Sequence, residues 1–272
     1  MFSRASIRYL LFIIINLIEN IEDPWSLILL TNLRLYIVIV LSIIFLATLL
    51  ILGRSGFFEL YAKKDFIYMV FFALLLFAWV HLIGRPLIFP ITDRIPYAYN
   101  FAVADFPFIL LLITVIMLVK KPGTASLTLL IYEILSQTLY YGISLVWFAS
   151  PLMQGLPIDL YIFIREKAIF SNKAIFFRHR ITDEEIETAR EISNLQYIDG
   201  SIIGFLRGFF LQLSIYTVLF PTLYGPPYFW NYLFLLIILP WSIGNAISGA
   251  LSVPIAKRIK QKIIEIANSL KH

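Results

Sequence analysis

Residues 120–137 read KKPGTASLTLLIYEILSQ, and the fold turns on how this stretch is understood. Two lysines and a Pro-Gly break mark a loop, and the small residues after them open a helix. That helix is apolar until it reaches Glu133 and Gln137. A carboxylate is costly in such a setting and points to function by default, so the neighbouring segments must show what surrounds it.

The chain has 272 residues, 60% hydrophobic and 14% charged, with a mean hydropathy of +0.85. These values lie outside the range of soluble domains and class it as a membrane protein. It has no cysteine, which excludes disulfides, thiolate chemistry and Cys-ligated metal sites. The net charge of +5 would suggest nucleic acid in a soluble protein. In a bilayer protein the placement of cations reports topology instead, and no nucleic-acid partner is expected.

A helix needs about 20 residues to cross about 30 Å of hydrocarbon. Runs of that kind are Leu33 to Leu52, Phe66 to Pro90, Phe101 to Val119, Ala125 to Ser150, Pro157 to Phe170, Ile198 to Phe220 and Tyr228 to Val253. The fifth is short unless Pro151 to Leu156 belongs to it. Ile7 to Ile18 is shorter still, and fits either an interfacial helix or a signal-like segment.

Cations alternate between the connections. Arg54, Lys63 and Lys64, then Lys120 and Lys121, then the segment from Arg165 to Arg190, then Lys257 to Lys271 fall on one side; Arg85 and Arg94 fall on the other. The cation-rich side is cytoplasmic by the positive-inside rule. The expected fold is therefore an all-α, polytopic membrane helical bundle in the plasma membrane. Residues 61–272 form a six-helix core with both ends cytoplasmic, and residues 1–60 add an N-terminal helix. A cytoplasmic insert, 166–197, carries a capped amphipathic helix at TDEEIETAREI. Residues 254–271 read as a C-terminal amphipathic helix at the interface, suited to anionic lipid or to a protein.

Counting along the helices at 1.5 Å per residue puts Glu133 about 18 Å from the cytoplasmic boundary, Asp159 about 12 Å below the outer surface and Arg207 about 14 Å in. All three are expected near the midplane, where opposite charges would offset each other's desolvation if their helices face. Trp79, His81, Gln137, Gln154 and Gln212 fall in the outer half, among Tyr140, Tyr141, Trp147 and Trp230. Amides and aromatics above a carboxylate suit a flat polar or cationic ring. The competing readings are a structural ion pair, interfacial aromatics and a packing histidine. GSIIGFLRGFF and GNAISGALS space small residues four apart, which permits close helix approach, by default within the chain.

There is no Gly-rich Lys-Ser/Thr loop, no His-Glu-x-x-His and no nucleophile elbow, and His81, His179 and His272 are dispersed. No catalytic residue, metal site or cofactor is expected, and the chain does not read as an enzyme.

From Lys63 onward, KDFIYMVFFALLLFAWV, the KKPG turn with LLIYEIL, PLMQGLPIDLYIFIR and GNAISGALSVPIAKRIK together resemble the S component of an energy-coupling-factor transporter, of the thiamine or hydroxymethylpyrimidine type. The resemblance implies a six-helix bundle with an outward-facing vitamin site, covered here by Gly84 to Asn100. It implies a transmembrane T component and two cytoplasmic ATPase subunits as partners, which would account for the missing ATP-binding loop. By position it implies that Glu133, Gln154, Asp159 and Trp79 contact substrate. The chain departs from the family at Ala73 and Ala78, five apart instead of four, and at Arg207, which has no counterpart. Two other functions use the same residues: an ion-coupled secondary transporter with Glu133, Asp159 and Arg207 as relay, and a structural membrane protein.

Overall fold

The computed structural model describes residues 61–269 except 93, 96, 97, 99, 100, 122, 143, 144, 168–194 and 216–232. The expected segments Ile7 to Ile18 and Leu33 to Leu52, and nearly all of the 166–197 insert, lie outside the described residues. The described residues are all-helical, with no strand. Helix α1 runs from Lys63 to Thr92, and its middle, Ala78–Ile88, is wound as a π-helix. A 3₁₀ turn, Val103–Asp105, leads into α2, Phe106–Val119; α3 is Thr124–Ser136, continued by a π turn, Gln137–Tyr141. Then come α4, Ala149–Lys167, α5, Tyr197–Ser214, and α6, Leu233–Ser269. Two helices, Lys63–Thr92 and Ile238–Ala267, are long and apolar enough to cross a membrane by length and composition.

The helices pack as a ring in the order α1, α3, α4, α5, α6, α2, closing again on α1. Helix α2 is the most enclosed: Phe108, Ile109, Leu112 to Met117 and Val119 are all buried. An apolar helix with no polar stripe can be covered on most sides, and α2 leaves only Phe106, Pro107, Leu110, Leu111 and Leu118 partly exposed. Its core partners include Met69, Phe72 and Leu76 of α1, Leu129 of α3, Ile158 of α4 and Ile203 of α5.

The glycine stripe resolves within the chain. A Cβ on Gly204 would collide with the Asn245 carbonyl, one on Gly200 with Gly249, and one on Gly208 would stand 2.9 Å from Asn245 Cβ. Bare Cα positions thus let α5 and α6 touch backbone to backbone, as expected for small residues four apart.

Two element boundaries differ from the sequence reading. The run Ala125 to Ser150 is not one helix: α3 closes at Gly142, which has φ 81°, and Ala149 opens α4. Helix α4 therefore includes Pro151 to Leu156. Residues 254–269 are not a separate helix either, because α6 passes through Pro240 and Pro254 without a break. Proline in a long apolar helix is tolerated where neighbours compensate for the lost bond, and a sequence boundary drawn at Pro254 misses this.

Candidate functional site

The turn at KKPG positions everything downstream. Lys120 takes a left-handed conformation, φ 54°, and ends α2, with its N–H on the Ile116 carbonyl at 2.8 Å. Gly123, φ 91°, starts α3 but has no side chain to cap it. The cap comes from α4: Asp159 accepts the backbone N–H groups of Ala125 at 3.1 Å and Ser126 at 2.8 Å. Next to this, Lys121 donates to Asp65 of α1 at 2.5 Å and lies over the Tyr61 ring.

Asp159 is therefore at the lysine-rich end, not level with Glu133. It sits only six residues before Arg165, and α4 crosses α3 at Gly155, whose Cβ position would be 2.5 Å from Ser126 Cα. That close crossing brings Asp159 onto the first turn of α3. The expected cluster of Glu133, Asp159 and Arg207 does not exist.

A cavity of about 290 Å³ opens at the opposite end of the ring. Its wall takes Val80, Arg85 and Phe89 from α1, Asp105 and Phe108 from the start of α2, Tyr132 and Glu133 from α3, Ser150 and Gln154 from α4, Arg207 and Leu211 from α5, and Trp241 from α6, with Trp147 beside them. Every helix of the ring contributes. The π winding of α1 broadens the helix here, and Pro86, which has no N–H to give, lies within it. Gly84 permits the tight turn: a Cβ there would lie 2.9 Å from the Trp79 carbonyl.

Of the eight expected site residues, Glu133, Gln154 and Arg207 line the cavity. Glu133 is 7% exposed and receives Gln137 Nε2 on Oε1 at 3.3 Å. Gln137 stands behind Glu133 as a support instead of reaching the cavity. Gln154 Nε2 donates to Ser150 Oγ at 2.8 Å, which leaves Oε1 buried without a partner among the described residues.

Arg207 binds through Nη1 to Asp105, and to Asn245 Oδ1 at 2.7 Å, while its guanidinium lies 4.4 Å from the centre of the Phe108 ring. Asn245 is itself oriented by its Nδ2 donating to the Trp241 carbonyl at 2.9 Å. Sequence reading missed Asp105. Its signal was there: an acidic residue at the start of the second core helix, in a chain with an otherwise unmatched arginine inside an apolar run.

His81, Trp79, Asp159 and Gln212 stay outside the cavity wall. His81 is buried between α1 and α3 with Nε2 3.0 Å from Ser136 Oγ. Ser136 Oγ also donates to the Tyr132 carbonyl at 2.9 Å. Phe77 and Tyr140 pack on the His81 ring at 4.8 and 4.6 Å. His81 thus joins α1 to α3 instead of lining the cavity as a site residue would.

Among the described residues no cluster of His, Asp and Glu could hold a metal ion. No family model, no curated protein and no solved structure matches this chain.

Proposed function

We propose that the chain is the substrate-capture membrane subunit of an ATP-driven vitamin uptake system, taking thiamine or its pyrimidine precursor. In this reading it is a six-helix membrane bundle with both ends cytoplasmic, and it works with a transmembrane T component and two ATPase subunits. The observation that supports it is the cavity at the cation-poor end, where Glu133 keeps an acceptor oxygen that Gln137 does not use. A carboxylate held inside an apolar bundle favours a ligand that brings a cation or a strong donor to it.

The lining around Glu133 fits a ring. Tyr132, Phe108, Trp147 and Trp241 give aromatic surface, and Gln154 and Arg207 give polar contacts on other sides. A volume of about 290 Å³ suits one small heterocycle better than a large cofactor. The end that bears the cavity is opposite Lys63, Lys64, Lys120 and Lys121, so the charge rule turns it outward, where capture must occur.

The relay alternative loses ground, because Asp159 is committed to the α3 amides and Arg207 to Asp105. A proton could not pass between Glu133 and Asp159 without rearranging both.

The test is thermal unfolding of the purified protein in detergent with thiamine, hydroxymethylpyrimidine and other vitamins, since a ligand stabilises the state it binds. A saturable upward shift with one pyrimidine compound is expected. A flat response to all of them would overturn the capture reading.

A further inference from the structure

Arg207 offers more than an ion pair. A guanidinium carries five N–H donors, yet only Nη1 is engaged, by Asp105 and Asn245. Nε is buried without a partner, and Nη2 makes no hydrogen bond among the described residues. Arg207 is 4% exposed and lines the cavity, where a donor without a partner can serve a ligand. Its charge is already offset, because Asp105 lines the same cavity and holds it.

A cation and an anion that pair leave a donor without net charge. We propose that Arg207 recognises a neutral acceptor on the ligand, a ring nitrogen or a carbonyl, and that Asp105 sets the specificity by excluding anionic ligands from that position. An anion reaching for Arg207 would be driven against the Asp105 carboxylate, and like charges repel strongly where water is excluded. Glu133 is matched in the same wall by Arg85, so the exclusion at Arg207 is carried by Asp105. The ligand class is thus a flat, uncharged or cationic heterocycle with an acceptor, and its phosphorylated or carboxylated derivatives are refused. The inference rests on reading the cavity as a capture site.

The test compares two matched probes, hydroxymethylpyrimidine and hydroxymethylpyrimidine phosphate, by calorimetric titration of the parent protein and of D105N. The parent should favour the unphosphorylated compound. D105N leaves the Arg207 charge without its counterion and should move the ratio of affinities toward the phosphate by about tenfold or more. Should D105N not fold, R207Q carries the test: it should weaken the unphosphorylated compound about tenfold or more without moving the ratio toward the phosphate. A folded D105N with an unchanged ratio, or an R207Q that binds hydroxymethylpyrimidine as the parent does, would overturn the assignment while the capture reading stands. If neither probe bound the parent, the capture reading for pyrimidines would fall and the assignment with it.

Discussion

Asp159 of α4 accepts the backbone N–H of Ser126 in α3 at 2.8 Å, so one helix supplies the cap that another lacks. Gly123 cannot cap α3, and the same carboxylate also takes the Ala125 N–H. D159A would leave both donors buried and unmatched. The expected cost is about 1–3 kcal/mol, read as a lower midpoint in SDS titration of the purified protein. Hydroxymethylpyrimidine affinity of the folded fraction should stay unchanged; a selective loss of affinity would return Asp159 to the binding site.

Glu133 makes the opposite prediction. Its remaining oxygen faces the cavity side and holds no part of the bundle together, so E133Q should spare stability. Loss of a charged hydrogen bond costs about 1.5–3 kcal/mol, which corresponds to about tenfold or more in the dissociation constant for thiamine or hydroxymethylpyrimidine. Calorimetric titration and thermal unfolding of E133Q give both numbers on one sample. A lower melting temperature with unaltered affinity would make Glu133 a packing residue.

Most core helices were legible as apolar runs ended by charge or by Gly-Pro chemistry, and the α5 side of the α5–α6 contact because Gly200, Gly204 and Gly208 recur every four positions; on α6 the contact falls on Asn245 and Gly249, one residue off the Gly244, Ser248 and Ser252 set. Glu133, Gln154 and Arg207, which line the cavity, stood out in the sequence because polar groups inside apolar helices are rare. What the sequence could not show was partnership. Depth counted along straight helices put Asp159 level with Glu133, whereas the tight crossing at Gly155 and Ser126 carries it to the start of α3. Asp105, at a helix start, drew no reading from the sequence, and only the fold sets it beside Arg207. The π winding around His81 left no mark beyond Gly84 and Pro86, and the break at Gly142 left only a single glycine.

Two glycine substitutions should separate crowding from backbone strain. G204A inserts a Cβ into the Asn245 carbonyl, and G142A meets nothing within 4 Å but must hold φ at 81°. Overpacking at a helix crossing costs about 1–3 kcal/mol, and a non-glycine residue held at positive φ with an extended ψ about 1–3 kcal/mol. Because Gly204 packs on the backbone of Asn245, whose side chain holds Arg207, G204A should also weaken hydroxymethylpyrimidine binding, and G142A should not. Titration of both variants against the same compound checks this; equal affinities would show that the α5–α6 spacing does not reach the cavity.

Orientation can be tested without altering a native thiol, because the chain contains no cysteine. Ile95 is 51% exposed near the cavity end, and Gln261 is exposed on α6 at the lysine-rich end. If cation placement sets the topology, Ile95→Cys should react with a membrane-impermeant maleimide on intact cells, and Gln261→Cys only after permeabilisation. The cavity lies with Ile95, so this pattern places Glu133 and Arg207 where an external ligand can reach them. The reverse pattern would turn the cavity toward the cytoplasm. Capture from outside would then be impossible for the resting bundle, however well a pyrimidine bound to the purified protein.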